Sequence, residues 1–375
     1  VGGVINIITK EPETKTSEAA ISYGSFATNQ VRFALGNVKK NTFGYRVGGS
    51  TYSSNNYREH NAERNNNLSV DMIYQNIYFR YHKANQHLEM PGKLTWEQVE
   101  QNPRQAENNV AYNNQDHDVF QLGLKHYMGA NWSAMLDTST RLMQGVGAYV
   151  FNQQAMGFNE SRQVVTIQPK ISGVVNLCKY SIFPIFGIDL NYGGYEINSS
   201  HAQQNQNALY GQVTIPLTRK VTAVFGSRYG LAFYHLSPDT AVKTDPINRA
   251  FITDLELSWQ PLNNLRLFAK RAESFRFPKT DEIMFTIDKS PLKPQAGVSY
   301  EAGAICKNNN FSGSLSIYQL DLKNEIFAVP VATSNYFVYN KNLDPTRRVG
   351  AILGLSLDPI KYLQLNANYN FVNAK

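Results

Sequence analysis

Apolar and polar residues alternate with a period of two along most of this chain. Between residues 363 and 371, leucine, alanine, tyrosine and phenylalanine occupy every second position, and glutamine and asparagine lie between them. The stretches around residues 45, 70, 122 and 255 repeat the pattern. Because successive side chains of a β-strand point to opposite faces, this period predicts strands with one apolar and one polar face. We count about 17 such strands and no helix-period segment of any length.

The connections between these strands fall into two classes that alternate along the chain. One class is short and polar, near residues 39, 75, 129, 178, 219, 263, 308 and 360; the other is long and variable, at 53–67, 83–116, 145–161, 192–206, 237–248, 277–297 and 324–348. Short turns at one end and long loops at the other are typical of outer-membrane barrels, and strands of roughly 9–11 residues can cross a bilayer at a tilt. The predicted fold is all-β: a transmembrane antiparallel up-and-down β-barrel with short periplasmic turns and long extracellular loops.

The composition agrees with a barrel whose outer wall is apolar and whose interior is polar. Only 17% of the residues are charged, 22 are tyrosine and 20 are phenylalanine, and the mean hydropathy is −0.38. No apolar run approaches the roughly 18 residues that a spanning helix needs. Aromatic residues lie where strands meet turns, which favours an interfacial girdle over ordinary cross-strand packing. These residues are Tyr127, Trp132, Trp259 and Tyr362.

Charge, cysteine usage and motifs argue against several other functions. The net charge is +7, but the basic residues are scattered, so no nucleic-acid-binding patch is predicted. Cys178 and Cys306 lie far apart and have neither metal-ligand nor disulfide-framework spacing. No pair among the seven histidines has a convincing ligand spacing, and no G-x-S-x-G or H-E-x-x-H motif occurs. We therefore expect no metal site, no cofactor and no enzymatic activity.

The first ten residues, VGGVINIITK, differ from the strands that follow. They predict a short, buried, β-branched strand entered through a glycine turn. Residues 11–18 are charged and are predicted to be a linker, and the barrel is predicted to occupy 19–375. The odd strand number disagrees with the even number of bacterial single-chain barrels. We therefore expect residues 1–10 to end a preceding domain, and the barrel to continue beyond residue 375.

Five stretches resemble, in the same order, segments of the TonB-dependent outer-membrane receptors. They are VGGVINIITK (1–10), RAESFRFPKTDEI (271–283), SPLKPQAGVSYEAGA (290–304), and the strands at 314–327 and 346–374. The first resembles the end of the family's plug domain, with Gly2, Gly3 and Asn6 at the plug-to-barrel junction. The resemblance implies a barrel of 22 strands, of which about 17 are present. It also implies a plug and a TonB box outside this sequence.

The resemblance implies an importer in the outer membrane of Gram-negative bacteria. Such a receptor binds a scarce nutrient complex at its extracellular face, with a ferric siderophore as the expected cargo, and TonB with ExbB and ExbD supplies the energy. The barrel would be monomeric and would contact outer-membrane lipid and lipopolysaccharide. No histidine lies between Pro278 and Leu292, so the resemblance gives haem no support. A passive or substrate-specific porin and a soluble all-β binding protein are the alternatives.

Candidate cargo-binding residues lie mainly in the long loops. In the longest loop, Thr95 and Gln98 have capping-box spacing and predict one or two helical turns that end by Pro103. Cationic and aromatic side chains suit anionic aromatic ligands such as catecholate siderophores, although the same side chains could instead pack against neighbouring loops. The candidates are His87, Trp96, Arg104, Tyr149, Phe151, Tyr192, Tyr195 and Arg276. Arg228 and Arg276 are predicted to face the lumen or its mouth and to pair with acidic groups of a plug.

Overall fold

The computed structural model describes residues 15–39, 43–151, 154–177, 180–237, 246–286, 291–330 and 338–375. The strands are β1 (Thr16–Gly24), β2 (Thr28–Lys39), β3 (Phe43–Ser54), β4 (Glu63–Tyr74), β5 (Ile77–Glu89), β6 (Tyr112–Met128), β7 (Trp132–Phe151), β8 (Gln154–Gly173), β9 (Val175–Leu177), β10 (Tyr180–Ile197), β11 (Ser200–Pro216), β12 (Val221–Leu236), β13 (Ile247–Leu262), β14 (Leu265–Arg276), β15 (Gln295–Asn308), β16 (Phe311–Lys323), β17 (Ile326–Pro330), β18 (Val338–Asn342), β19 (Thr346–Ile360) and β20 (Leu363–Ala374).

Two short helices interrupt the strands. They are α1 (Trp96–Gln101), between β5 and β6, and α2 (Thr280–Met284), between β14 and β15. In the part of the chain that the structure describes, no helix is long and apolar enough to cross a bilayer. The predicted junction residues Gly2, Gly3 and Asn6 lie outside the described residues.

Each strand of the main sheet pairs antiparallel with its neighbour along the chain. β8 and β9 both pair with β10, on either side of Val174, and therefore act as one interrupted strand. β17 and β18 pair with each other, as a separate hairpin between β16 and β19, and an isolated bridge joins Asn340 of β18 to Thr286. With β8 and β9 counted together and the hairpin set aside, the meander has 17 strands, which confirms the predicted number. Among the described residues, β1 pairs with β2, β20 pairs with β19, and no β1–β20 pairing occurs.

The register gives the sheet one polar and one apolar face. Across β3 to β6, one row places Arg46, Asp71, Arg80 and Gln121 side by side, and the adjacent row places Val47, Val70, Tyr81 and Phe120 side by side. We call the face with the charged row the inner face and the other the outer face. Large apolar side chains of the outer face are exposed on nearly every strand, which lipid contact explains and burial between two soluble sheets does not.

Two segments predicted to be long loops are mostly strand. β7 and β8 stay paired to Phe151 and Gln154, and β10 and β11 stay paired to Ile197 and Ser200, leaving a two-residue turn in which Asn198 has a φ of 52°. The loop predictions at 145–161 and 192–206 are therefore wrong. Where a strand extends beyond the lipid, neither of its faces needs to be apolar, so the alternation that marks a strand in the sequence fades.

Leu122 and Gln121 are adjacent on β6 and test the assignment of faces. Leu122 lies on the outer face and is 48% exposed; Gln121 shares the inner row with Arg80. Leu122→Arg is expected to destabilise the membrane-inserted barrel by about 2–4 kcal/mol, because an arginine would face the bilayer core. Gln121→Arg is the matched control and should change stability little. Urea titration of the two variants refolded into vesicles measures the difference, and equal stabilities would contradict the assignment.

Candidate functional site at the mouth of the barrel

The connection after β14 folds back onto the inner face of β10, β11 and β12, at the long-loop end of the strands. We call residues 277–286 the α2 segment. Its buried side chains pack on three strands to form the mouth cluster: Tyr195, Ala202, Ala232, Tyr234, Leu236, Phe277, Ile283 and Met284. Small alanines from the strands leave room for the large side chains of the segment, so the helix lies close against the wall.

The carbonyl oxygen of Pro278 anchors the start of the α2 segment. It accepts hydrogen bonds from the Gln204 side-chain amide, at 2.7 Å, and from the Tyr234 hydroxyl, at 2.8 Å. Pro278 is fully buried, so both donors satisfy an oxygen that water cannot reach. Proline also ends the pairing of β14, because it has no N–H to offer a neighbouring strand.

Ion pairs organise the polar side of the α2 segment. Glu282 accepts two hydrogen bonds from Nη1 of Arg276, at 2.9 and 2.6 Å, and one from the backbone N–H of Lys279, at 2.8 Å. Asp281 pairs with Nη1 of Arg162 at 3.4 Å. The guanidinium of Arg162 also lies 4.3 Å from the ring centroid of Tyr195. Nη2 of Arg162 lies 3.7 Å from Oε2 of Glu160. Two arginines and three carboxylates therefore meet at the entrance to the lumen, beside a buried aromatic ring.

Three asparagines attach the β17–β18 hairpin to the connection that carries α2. Asn340 donates its side-chain amide to the carbonyl oxygens of Glu282, at 3.0 Å, and Phe285, at 3.2 Å. Asn342 exchanges hydrogen bonds with the backbone N–H and carbonyl of Lys293, at 2.8 and 3.1 Å. Asn324 donates to the carbonyl of Pro294 at 3.4 Å. The two connections consequently form one unit over the mouth.

A second unit is built on the β5–β6 loop. The side chain and backbone of Thr95 exchange hydrogen bonds with Gln98, at 3.3 and 2.8 Å, and α1 ends at Gln101, which confirms the predicted capping box and short helix. Hydrogen bonds from its own backbone N–H and from Thr95 lower the pKa of the exposed Glu97.

Arg58, in the β3–β4 loop, holds this second unit in place. Its guanidinium donates to the carbonyls of Gly92 at 2.8 Å, Gln105 at 3.1 and 3.0 Å, and Pro91 at 3.4 Å. His60 adds a 2.7 Å contact from Nε2 to the carbonyl of Ala111. One loop therefore binds the backbone of the other at several separate points.

The structure brings Arg104 against two aromatic rings. Its guanidinium lies 5.8 Å from the ring centroids of both Phe26 and Tyr57, whose rings meet edge to face at 5.9 Å. Trp96 projects from α1 and is 74% exposed. His87 lies further down β5, where Nδ1 is 2.6 Å from Oδ1 of Asn114 on the outer face.

The other predicted candidates occupy strands. Tyr195 belongs to the mouth cluster and Arg276 pairs with Glu282, so these two lie at the same site. Tyr192 is on the opposite face of β10 from Tyr195. Tyr149 lies on β7, with its ring 6.2 Å from that of Phe158. The backbone of Phe151 ends β7, and its side chain lies outside what the structure describes.

The two arginines that were predicted to pair with a plug have carboxylate partners within this chain. Arg228 pairs with Asp189 at 2.5 Å on the inner wall, and the Gln168 amide donates to the same carboxylate at 2.9 Å. Arg276 pairs with Glu282 at 2.6 Å. Each guanidinium thus already has a carboxylate partner within this chain. The described residues contain no group of three histidine, cysteine or acidic side chains arranged to bind a metal ion.

Sequence reasoning missed several residues of the mouth. Asp281 lies within the stretch whose resemblance was noted, but Arg162, Gln204 and Tyr234 carry no local signal. Each reaches its partner only through the fold, as the separation of 74 positions between Gln204 and Pro278 illustrates. Arg58 is likewise an isolated arginine in a polar loop.

The two donors to Pro278 allow a test of how the α2 segment is held. Tyr234→Phe or Gln204→Leu alone is expected to weaken docking by about 1 kcal/mol, because one donor remains. The double variant should cost more than the sum, since it leaves a buried carbonyl without a partner. Hydrogen exchange across residues 277–286 measures the loss of protection. Tyr192→Phe on the other face is the matched control, and a double variant no more exchangeable than this control would contradict the anchor.

Comparison with known proteins identifies the family of this chain. The sequence matches the family described as TonB dependent receptor-like, beta-barrel, over residues 14–375. No curated protein matches the sequence.

Solved structures share the fold at low sequence identity. The ferric citrate transporter FecA, in its unliganded form, superposes with a TM-score of 0.82 at 15% identity, over 100% of this chain and 62% of FecA. The ferric-catecholate import receptor Fiu from E. coli K12, in its closed form, gives 0.79 at 13% identity, over 99% of this chain and 66% of Fiu. The ferric yersiniabactin uptake receptor FyuA from Yersinia pestis gives 0.76 at 12% identity, over 100% of this chain and 63% of FyuA.

The chain spans less than two thirds of the length of each of these three proteins. At such identities the superpositions establish the fold, and the family match over 14–375 establishes the kinship. The chain belongs to the TonB-dependent receptor family and forms strands of its β-barrel.

Proposed function

We propose that this chain is the barrel part of a monomeric receptor in a Gram-negative outer membrane that imports a ferric siderophore complex with energy from TonB, ExbB and ExbD. The family match over residues 14–375 carries the proposal. Structural relatives described as a ferric citrate transporter and a ferric-catecholate import receptor support ferric complexes as the cargo class.

The mouth has the chemistry that an anionic ferric complex needs. Arg162 lies over the ring of Tyr195 and pairs with Asp281 of the α2 segment and with Glu160 of β8. The Nε of Arg162 is buried and makes no hydrogen bond to the residues that the structure describes. A guanidinium held against an aromatic ring can bind an acidic, planar ligand by charge and by stacking. Arg104, against Phe26 and Tyr57, offers the same combination at the rim.

The polar inner wall is suited to contact with a plug domain that fills the lumen and later moves to open it. A barrel of this width would leave an aqueous channel unless another domain occupied it. The wall charges Asp189–Arg228 and Asp71–Arg80 pair with each other, at 2.5 and 3.4 Å. A plug would therefore meet a polar wall on which these two pairs of charges are already neutralised.

Iron uptake by the full-length protein tests the proposal. The gene is expressed in a Gram-negative strain that lacks its own siderophore receptors, and uptake of ⁵⁵Fe is measured with ferric citrate, a catecholate and a hydroxamate. We expect uptake of one complex, and expect it to stop on addition of a protonophore or on deletion of TonB. Uptake that persists under both treatments, with steady conductance in a planar bilayer, would instead identify a porin. A protein recovered in the soluble fraction would exclude both.

A further inference from the structure

A pocket of about 390 Å³ lies in the inner face of β3 to β6, nearer to the short turns than the mouth is. We call it the inner-wall pocket. Two adjacent cross-strand rows supply most of its lining. They are the row of Ser69, His82 and Val119, and the next row toward the short turns, of Arg46, Asp71, Arg80 and Gln121. The pocket therefore sets two arginines and a histidine against one carboxylate.

The carboxylate in the inner-wall pocket is paired with only one of the two arginines. Nε of Arg80 lies 3.4 Å from Oδ1 of Asp71. Arg46 is the neighbour of Asp71 on the other strand, but it makes no ion pair with the residues that the structure describes. A guanidinium has five N–H donors, so Arg46 can still bind an anion that enters the pocket.

A second arginine without a carboxylate partner stands beside the pocket. Arg141 lies on the inner face of β7 and is exposed. Its register neighbours are Val119, which lines the pocket, and Val164 on β8. Neither valine side chain can accept a hydrogen bond, and within the described part of the chain Arg141 belongs to no ion pair. Its charge therefore faces the lumen uncompensated.

These arginines continue a line that begins at the mouth. Arg162 is the inner-face residue of β8 next to Val164 on the side of the long loops. Arg162, Arg141 and Arg80 consequently lie in three successive rows of the inner face, which are ~7 Å apart, and Arg46 shares the row of Arg80. We call these four residues the cationic track. It runs from the mouth to the inner-wall pocket.

We propose that the cationic track passes an anionic ferric complex from the mouth to the inner-wall pocket once the lumen is open. This inference rests on the proposed function and adds that the cargo carries a net negative charge. The complex exchanges its contact with Arg162 for one with Arg141 and then for one with Arg46, so an anionic group always has a cationic partner. Fixed charges of one sign along a cleft also raise the local concentration of the opposite ion.

Uptake kinetics of the full-length protein separate the track from the mouth. Initial rates of ⁵⁵Fe uptake are measured with ferric citrate, with a ferric tricatecholate and with ferrichrome, whose iron complex is neutral. Binding of each complex is measured in cells that lack TonB. We expect import of an anionic complex. The double variant Arg46→Gln and Arg141→Gln should lower its maximal uptake rate about tenfold, the effect of losing one charge-assisted contact. Binding without TonB should not change, because Arg162 is intact.

Lys270→Gln is the matched control for the loss of a cation from the lumen. Lys270 lies on the inner face of β14, between Glu256 and Glu301 in the register, so its charge is already offset. Its replacement should leave the uptake rate unchanged. Arg141→Lys keeps the positive charge and should retain most of the rate that Arg141→Gln loses. Heat-modifiable migration confirms that each variant is a folded barrel.

The outcomes distinguish the track from the import that it serves. Import of ferrichrome alone would overturn the track, since a neutral complex gains nothing from cations. A double variant that imports as fast as Lys270→Gln would also overturn it and leave the proposed import standing. Steady conductance of the double variant in a planar bilayer would show that these arginines hold a plug instead of passing cargo. Failure of the unmodified protein to import any complex would refute the proposed function itself.

Discussion

Replacing Ile283 with aspartate is expected to detach the α2 segment from the barrel wall and to abolish cargo binding. Ile283 is 0% exposed, inside the mouth cluster. Truncating such a side chain to alanine costs about 2–5 kcal/mol, and a carboxylate would add the penalty of a buried charge without a partner. Hydrogen exchange of residues 277–286 and binding of the ferric complex identified by uptake measure the two effects. The strands should keep their protection, because α2 packs on a wall that is paired without it.

Phe285→Asp is the matched control for this change. Phe285 lies two positions further along the same segment and is 37% exposed, so a carboxylate there stays hydrated. We expect its exchange and cargo affinity to remain close to those of the unmodified protein. An Ile283→Asp protein that retains protection at 277–286 would show that the mouth cluster does not hold the segment. One that loses protection but binds cargo normally would place the binding site elsewhere.

Replacing Arg58 with methionine is expected to free the β5–β6 loop. The guanidinium makes four hydrogen bonds to the carbonyls of Pro91, Gly92 and Gln105. Hydrogen bonds from charged donors contribute about 1.5–3 kcal/mol each when measured singly and are not additive, so we expect local opening to become easier by about 3 kcal/mol. Methionine keeps an unbranched apolar stem and removes the donors of the guanidinium. Exchange at residues 90–111 should rise about a hundredfold while the paired strands stay protected.

Arg64→Met is the control for the loss of a positive charge. Arg64 lies on β4, close to Arg58 in sequence, and is exposed. Its replacement should leave exchange at 90–111 unchanged. If Arg58→Met also leaves it unchanged, the loop is held by other contacts, of which the 2.7 Å bond from the Glu59 N–H to the Arg104 carbonyl is the nearest candidate.

The wall of the barrel could be predicted from the sequence because lipid and lumen select opposite faces of every strand. Apolar residues therefore recur at every second position wherever a strand crosses the apolar layer, as at Phe120, Leu122 and Leu124. The helix α1 was also predictable, because Thr95 and Gln98 form its cap through contacts only three residues apart.

The mouth could not be predicted in the same way. Its contacts join residues that are far apart in the chain, such as Arg162 with Asp281 and Gln204 with Pro278. The strand extensions at 145–161 and 192–206 carry no sustained alternation of apolar and polar residues. In both segments the strands stay paired because the register set lower in each hairpin continues to its end, and the local sequence does not indicate it.

The asparagines that attach the β17–β18 hairpin use only main-chain atoms of the connection that carries α2. Asn340 binds the carbonyls of Glu282 and Phe285, and Asn342 binds the N–H and carbonyl of Lys293. Because every residue except proline presents the same main-chain groups, the attachment imposes no requirement on the side chains at those positions. The side chains at these positions can therefore change without loss of the hydrogen bonds that attach the hairpin.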